Sequence, residues 1–398
     1  MLKQLLIKLM DTTKSFFTKQ LIPSIFFFLP IQKDKIVFIN FNGKGYGCNP
    51  KYIANEILRR GLPWDLVWLV SDSNEKFPKG IRTAPFRRWK GLLEVATAKV
   101  IVTNVKNDLC LKKKKGQYII QTWHSSYSAK KVEKEVEDKL DPQYVKESKH
   151  NSEQTDLFLS NSTAMSDCYR NAYWCNCEIL ECGLPRNDIL FSKGEDLSAR
   201  IRNNLGIDSQ DRIVLYAPTF RDNGSVHAYS LDCMGVLNTL RKNGANWKMI
   251  VRLHPNVTAT NNIFPKSPLI IDATTYSDMQ ELLLISDILI TDYSSTPFEF
   301  AIMKKQVFIY VPDFEEYRKA RGLKKAFFDA PYPVCKTNEE LLLRVEKYTP
   351  EEAEWEATEF VKLFGGVDKG DASKQTVDRI EAVVSGTFTN SAEEVKND

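Results

Sequence analysis

The chain has 398 residues, 43% of them hydrophobic and 27% charged, which is enough apolar material for two globular domains. Lys+Arg 55 against Asp+Glu 51 leaves a formal charge of only +4, and no long basic tail is present, which argues against a general nucleic-acid binder. Eight cysteines scattered over this length make no disulfide framework and point to a reducing compartment; Cys168, Cys175, Cys177 and Cys182 cluster, but without paired C-x-x-C spacing, so buried thiols are favoured over zinc.

Projected on a helix, Leu2, Leu5, Leu6, Leu9, Met10, Phe16 and Phe17 share one broad arc, with Lys3, Lys8, Lys14 and Lys19 on its flanks. The apolar stretch Leu21 to Pro30 is about half the length a transmembrane helix needs and is broken by Pro23. No small-residue cleavage site follows it, so a secretory signal is disfavoured. Residues 1–33 therefore read as an amphipathic monotopic anchor on the cytoplasmic face of a membrane, its lysines attracted by anionic lipid. A helix packed on the protein body, or on a partner, is the other reading.

From Lys35 the pattern becomes βα. Ile36–Ile39 is a buried-strand run ending in Asn40-Phe41-Asn42-Gly43-Lys44-Gly45, after which Pro50 opens a helix that ends near Gly61. Neither a G-x-G-x-x-G in register nor a Walker lysine occurs there, which disfavours NAD and ATP, although this loop is placed to line a cleft. Strands are predicted over 65–70, 100–104, 117–122 and 156–161, and helices over 92–98, 132–145 and 162–172. Lys112–Lys115 is a basic run that reads either as a solvated turn or as a contact for anionic headgroups or a phosphorylated acceptor. Directly after the 117–122 strand come Trp123-His124-Ser125-Ser126. Open α/β sheets bind ligands beyond the carboxyl ends of their strands, so His124 lies where chemistry is done. The turn-rich segment 182–188 is taken as the hinge.

The second half repeats this logic, with strands over 212–216, 247–253, 269–271 and 305–311 and a helix-rich tail from Glu339. Its centre is 285–300, where Ile288-Leu289-Ile290 ends in Thr291-Asp292-Tyr293-Ser294-Ser295 and Pro297 falls in the first turn of the next helix. A helix starting at the carboxyl end of a parallel strand presents unpaired N–H groups and a positive dipole end, which suit a phosphate; an ordinary capped helix is the plainer reading. No Asp-X-Asp occurs in the chain, and neither a metal nor another cofactor is expected. The organisation expected is an anchor over 1–33, a Rossmann-like acceptor domain over 34–190, a Rossmann-like donor domain over 191–385 and a polar tail over 386–398.

Taken together, the ordered motifs Tyr216 to Arg221 (YAPTFR), Arg252 to Pro255 (RLHP), 286–305 with the later Tyr317 and Arg321-Gly322, and in the first half FNGKGYGCNPKYI, TNVKNDLCLKKKKGQYIIQTWH and GLPRND, resemble the CDP-glycerol glycerophosphotransferases of teichoic-acid synthesis. The resemblance runs from about Phe38 to Leu343. It implies an α/β fold of GT-B type, a CDP-glycerol or other CDP-alditol donor, a lipid-linked or polymeric acceptor, and peripheral attachment to the membrane surface. His124 is taken as the general base, since a histidine near neutrality suits that task without large tuning, and the resemblance places His254 and Arg252 against the donor pyrophosphate. Thr219, Arg221, Thr291, Asp292, Ser294, Ser295 and Arg321 join them on the donor side, and Asn42, Lys44, Trp123 and Ser125 lie on the acceptor side.

The chain departs from the family where Trp-His-Gly-Thr-Pro is usual, carrying Trp123-His124-Ser125-Ser126-Tyr127, and after Arg321-Gly322, where it has Leu323-Lys324-Lys325. The acceptor is therefore less constrained than the donor, and ribitol stays open beside glycerol. Two further readings are a GT-B glycosyltransferase using a nucleotide sugar, which releases UDP or GDP rather than CMP, and a catalytically inactive scaffold of the same pathway. Oligomerisation is possible on either.

Overall fold

The computed structural model describes residues 26–388 except 73, 107–111, 193, 222–226, 243, 254–256 and 258–262. The first 25 residues of the expected anchor, His254 and most of the polar tail lie outside the described residues.

The first half runs β1 (Gln32–Ile39), α1 (Cys48–Arg60), β2 (Asp65–Val70), β3 (Ile81–Pro85), α2 (Trp89–Thr97), β4 (Ala98–Thr103), β5 (Tyr118–Gln121), α3 (Pro142–Gln154), β6 (Leu157–Ser160), α4 (Thr163–Ala172) and β7 (Glu178–Glu181). Its seven strands form one parallel sheet in the order β3-β2-β1-β4-β5-β6-β7. The central strands are continuous apolar runs because helices cover both faces, and Val37, Phe38, Val67, Trp68, Val100 and Ile120 are fully buried. Lys35 is buried among them with its ammonium on Glu94 (2.7 Å) and Thr97 (2.9 Å), so its charge is neutralised where water is excluded. α1 stops at Gly61, whose φ of 64° lets its N–H close on the last carbonyls of the helix.

The charged stretch expected as one helix over 132–145 is split. A 3-10 segment covers Glu133–Lys139, and α3 starts afresh at Pro142 with Asp141 accepting from the Tyr144 N–H (3.0 Å). Proline lacks the N–H a helix interior needs and suits a first turn, so the break falls there.

The second half runs α5 (Glu195–Leu205), β8 (Arg212–Tyr216), α6 (Cys233–Arg241), β9 (Trp247–Val251), β10 (Ile270–Asp272), α7 (Met279–Ile285), β11 (Ile288–Thr291), α8 (Thr296–Ala301), β12 (Gln306–Tyr310), α9 (Phe314–Arg321), α10 (Lys325–Asp329), β13 (Val334–Cys335), α11 (Asn338–Lys347), α12 (Pro350–Leu363) and α13 (Ala372–Ser385). Six parallel strands take the order β10-β9-β8-β11-β12-β13. Phe298 and Phe300 of α8 are fully buried, each contributing about 2–3 kcal/mol of apolar burial that fixes this short helix against the sheet.

The end of the chain crosses back. The sequence places residues up to 385 in the second domain, yet Ala372, Val377, Ile380 and Val383 of α13 belong to the core of the first sheet. Asp188 accepts from the N–H groups of Ala372 (3.0 Å) and Ser373 (2.7 Å), and Arg60 pairs with Asp378 (2.7 Å) and Glu381 (2.5 Å). α13 thus belongs structurally to the first half, and the chain crosses between the halves a second time ahead of it.

The two sheets meet through loops at the carboxyl ends of their strands. Lys51 in α1 pairs with Asp278 (2.5 Å) and Glu281 (2.9 Å) at the start of α7, and the Tyr52 hydroxyl donates to Asp278 (3.0 Å). The segment after His124 forms a bridge with the one after Arg321: the Lys131 N–H donates to Gly322 (3.2 Å) and the Lys324 N–H to Ala129 (2.9 Å). The departure Leu323-Lys324-Lys325 therefore lies at an inter-domain contact.

Candidate active site

His124 follows the carboxyl end of β5 by three residues and reaches the junction between the two halves. Its geometry starts with Trp123, held at φ 49°, a left-handed value costly for a bulky residue. The strain is over-determined by neighbours: the Trp123 N–H donates to the Gln121 side chain (3.0 Å), its carbonyl accepts from Asn49 (2.9 Å), and its ring packs edge-on against Tyr173 (5.0 Å). Trp123, expected to face the acceptor, is buried and serves as the strut beneath the His124 ring (4.4 Å).

His124 Nδ1 lies 2.7 Å from the Asn104 carbonyl. A carbonyl only accepts, so Nδ1 carries the proton and Nε2 keeps its lone pair. Phe41 meets the imidazole edge-on (5.4 Å). Burial, opposed by the Asn104 hydrogen bond and reinforced by the nearby Arg186 guanidinium, pushes the imidazole down to about 4. The sequence suggests a base near neutrality without large tuning; instead the site holds His124 firmly neutral at physiological pH.

The residue that ties this histidine to the second half is Arg186, which the sequence marks only as part of the hinge. Its buried guanidinium donates to the His124 carbonyl (3.0 Å), to Cys48 Sγ (3.3 Å), to Ser126 Oγ (3.3 Å) and to Glu299 Oε1. Glu299, on α8, also accepts from Ser126 (2.8 Å) through Oε1 and from Gln280 through Oε2. One ion pair, buried on both sides, therefore connects the loop bearing His124 to the helix headed by Ser294 and Ser295. The sequence carried half of the signal, a glutamate inside the apolar stretch Thr296–Ala301; its partner, 113 residues away, it did not indicate.

On the donor side, Ser294 and Ser295 are half-buried at the head of α8; Ser294 Oγ shares a hydrogen bond with the Thr296 hydroxyl (2.6 Å) and accepts from the Thr296 N–H (3.2 Å). Arg252, just past β9, is half-buried and donates to the Tyr276 carbonyl (3.1 Å), and its Nε has no partner among the described residues. Burial, offset by Asp278, lowers its pKa, a cost that a bound anion would relieve.

Four expected donor contacts are built instead into the scaffold. Arg221 is buried, paired with Asp292 (2.8 Å) and Asp313 (2.6 Å), with its guanidinium over the stacked rings of Tyr293 (5.1 Å) and Tyr317 (4.8 Å). Asp292 accepts from the Thr219 N–H (2.9 Å) and hydroxyl (3.1 Å), and Thr291 Oγ1 donates to the Ala217 carbonyl (2.7 Å). These bonds fix the shape of the loop after β8. Arg321 is exposed at the end of α9.

On the acceptor side, Asn42 and Lys44 are exposed beside Phe41, and Asn104 fixes their loop by accepting from the Phe41 N–H (2.9 Å) and donating to Asn40 (2.8 Å). Ser125 is half-buried and its hydroxyl donates to the Tyr127 carbonyl (2.8 Å). Among the described residues no cluster of His, Cys, Asp and Glu is arranged to hold a metal.

Comparison with known proteins bears on this geometry. The family model for CDP-glycerol:poly(glycerophosphate) glycerophosphotransferase matches residues 21–382. The chain belongs to that family. It is 32% identical over 370 residues to a teichoic acid poly(glycerol phosphate) polymerase of Bacillus spizizenii, covering 88% of this chain and 93% of that one. It is 27% identical over 360 residues to a teichoic acid glycerol-phosphate transferase of Staphylococcus aureus, covering 86% and 92%. Among solved structures, the wall teichoic acid polymerase TagF, including a form soaked with CDPG, superposes with a TM-score of 0.82 at 25% identity, over 96% of this chain and 98% of that one. The GT-B arrangement expected from the glycerophosphotransferase motifs is thus the fold this chain has.

Proposed function

We propose that this glycerophosphotransferase moves glycerol phosphate from CDP-glycerol to a hydroxyl of a lipid-linked or polymeric acceptor and releases CMP, in teichoic-acid or capsule-type polymer synthesis at the cytoplasmic face of the membrane. The observation that carries the reading is the neutral His124 at the junction of the two halves, with Nδ1 engaged by Asn104 and Nε2 holding its lone pair. In the reaction the acceptor hydroxyl oxygen forms a bond to the phosphorus bearing glycerol, its proton passes to Nε2, and the bond from that phosphorus to the CMP oxygen breaks. Arg252 and the hydroxyls of Ser294 and Ser295 are assigned to the pyrophosphate oxygens, where positive charge and O–H dipoles offset the charge on the leaving group. Greater identity to the glycerol-phosphate polymerase of B. spizizenii (32%) than to its ribitol-phosphate polymerase (27%) favours a glycerol donor.

Peripheral attachment rests on the amphipathic arc of residues 1–33 and on Phe27 and Phe28, which are 43% and 85% exposed where that segment enters the fold. Among the described residues no helix is long and apolar enough to cross a membrane.

The test is product identification: the purified chain is given CDP-glycerol, CDP-ribitol, UDP-glucose or GDP-mannose with a lipid-linked glycerol phosphate acceptor. CMP release together with an acceptor heavier by one or more glycerol phosphate units is expected. Release of UDP or GDP with sugar transfer would replace this reading by the glycosyltransferase.

A further inference from the structure

We propose that the rim beyond the carboxyl ends of β3, β2 and β1 is a track for the phosphodiester backbone of the acceptor, with Arg87, Arg88, Lys90 and Lys44 holding its phosphates and Trp89 and Phe41 lying against its polyol units. This deepens the proposed function and rests on it.

The first observation is that these cations are unspent. Arg82, within β3, is fully engaged by Asp65 and Glu94 (2.6 Å each). Five residues on, Arg87, Arg88 and Lys90 are exposed, and among the described residues neither they nor Lys44 form an ion pair. They sit on aromatics instead, Arg87 over Phe86 (5.3 Å) and Lys90 over Trp89 (5.6 Å), the latter ring 53% exposed. Exposed aromatics interleaved with unpaired cations form a surface suited to an extended polyanion with short carbon units. The carboxylates of the intervening loop pair with none of these cations: Asp72 accepts from the Asn74 N–H (2.9 Å) and Glu75 Oε1 from the Gly45 N–H (3.0 Å).

The second observation is that the rim is built and leads to His124. The Phe86 N–H donates to the Val70 carbonyl (2.7 Å), Ser71 donates from its N–H to Gly43 (2.8 Å) and from its hydroxyl to the Asn42 carbonyl (3.0 Å), and Phe41 touches the His124 ring. The loops approach so closely that a Cβ on Gly43 would lie 2.8 Å from Phe86 Cβ, and the φ of 89° there excludes other residues as well. Arg87 itself is held at φ 56°, a strained value for arginine. From β3 to β5 is four strand spacings, about 19 Å, so the track spans several repeat units of a phosphodiester chain whose terminal hydroxyl is at His124.

An anionic membrane is the competing occupant, and topology disfavours it. The exposed Phe27 and Phe28 and the Lys112–Lys115 run lie before the amino ends of β1 and β5, opposite the cleft. There Lys113 is paired with Asp156 and Lys114 donates to the Leu29 carbonyl (2.7 Å), so that end already contacts the N-terminal segment.

The test uses the full chain, the double variant Arg87→Ser/Arg88→Ser, and separately Trp89→Ala. Binding of a synthetic oligo(glycerol phosphate) without donor is measured against salt concentration, and transfer kinetics are measured on that oligomer and on an acceptor with a single glycerol phosphate. The proposal expects oligomer affinity to fall about tenfold in the double variant, with a shallower salt dependence, while the KM for CDP-glycerol and the kinetics on the short acceptor stay unchanged. Unchanged oligomer binding in the double variant overturns it. So does a variant that keeps oligomer binding but no longer sediments with phosphatidylglycerol vesicles, which makes the rim a membrane contact. Because oligomer binding is read without catalysis, a wild-type chain that binds the oligomer but transfers nothing to it refutes the proposed function and leaves the track standing.

Discussion

Replacing Glu299 by Gln removes the negative member of a pair buried on both sides, with side-chain exposures of 7% for Arg186 and 4% for Glu299. The guanidinium would remain out of water with Ser126 Oγ, Cys48 Sγ and the His124 carbonyl as its neutral partners. Stripping one partner from a buried pair costs about 3–5 kcal/mol. The introduced amide oxygen can still accept from Arg186, but the amide NH2 then opposes the Gln280 amide from which Glu299 accepts in the wild type, so a value near the lower end is expected. A loss of about 3 kcal/mol lowers the folded-to-unfolded ratio more than a hundredfold. Urea unfolding followed by tryptophan fluorescence reads it as a fall in midpoint at unchanged slope. The double variant Arg186→Met/Glu299→Met, with no charge left to bury, should recover most of that stability and yet turn over more slowly than wild type, because the donor to the His124 carbonyl is gone. A Glu299→Gln protein within about 0.5 kcal/mol of wild type would show that the pair is hydrated or not formed, and the coupling of the two halves through it would fall.

His124→Ala should lose about two to four orders of magnitude in kcat while still binding CDP-glycerol by calorimetry, and the acid limb of kcat/KM in the wild type should fall near 4, not near 6.5; near-normal turnover in the variant leaves the base unassigned. Ser294→Ala with Ser295→Ala should weaken CDP-glycerol binding by about 1–3 kcal/mol in total, and unaltered binding would reduce these hydroxyls to caps of α8. Burial, opposed by hydrogen bonds from the Leu184 N–H and Asn187, pushes the Asp368 carboxyl up to about 6, above the unfolded value of 3.8, so its contribution is fully present below 3.8 and lost as pH rises through 6. The stability of wild type relative to Asp368→Asn should therefore increase on going from pH 7 to pH 4, and a pH-independent difference would refute the shift. Deleting residues 1–25, which leaves β1 and the Lys114 contact to Leu29 intact, should move the protein from the membrane pellet to the soluble fraction without loss of thermal stability; a truncated chain that still pellets would refute the anchor.

The central strands were legible because each is a run of apolar residues that a sheet covered on both faces demands, as in DLVWLV of β2 and ILIT of β11. The edge strands β3 and β7 escaped notice because IRTAP and EILE are half exposed and carry no apolar run. Motif position identified His124, since a strand end is a local property. It did not show how the donor-half motifs are held: Arg221 and Asp292 lie within motifs beside Ser294, but the partners of Arg221, Asp313 and the rings of Tyr293 and Tyr317, come from positions that only folding brings together. The Arg186–Glu299 pair, separated by 113 residues, was hidden for the same reason.

These contacts also decide what the altered loop after His124 means. If Trp-His-Gly-Thr-Pro needed its glycine for a left-handed turn, serine at that place would damage the loop, but the positive φ near this site belongs to Trp123, and Ser125 is not among the residues that adopt it. If the threonine were needed for its hydroxyl, Ser126 supplies one, and that hydroxyl donates to Glu299 beside the Arg186 guanidinium. If the proline served to stiffen the exit, Tyr127 does so by packing, buried edge-on against Phe360 (5.3 Å) and Phe364 (5.0 Å) of the last inter-domain crossing. Each substitution thus keeps a physical role in place, and the lone pair on His124 Nε2 is left as it would be in a working base. An inactive scaffold would have no reason to retain a buried charge pair whose cost is justified by fixing that one imidazole against the donor helix.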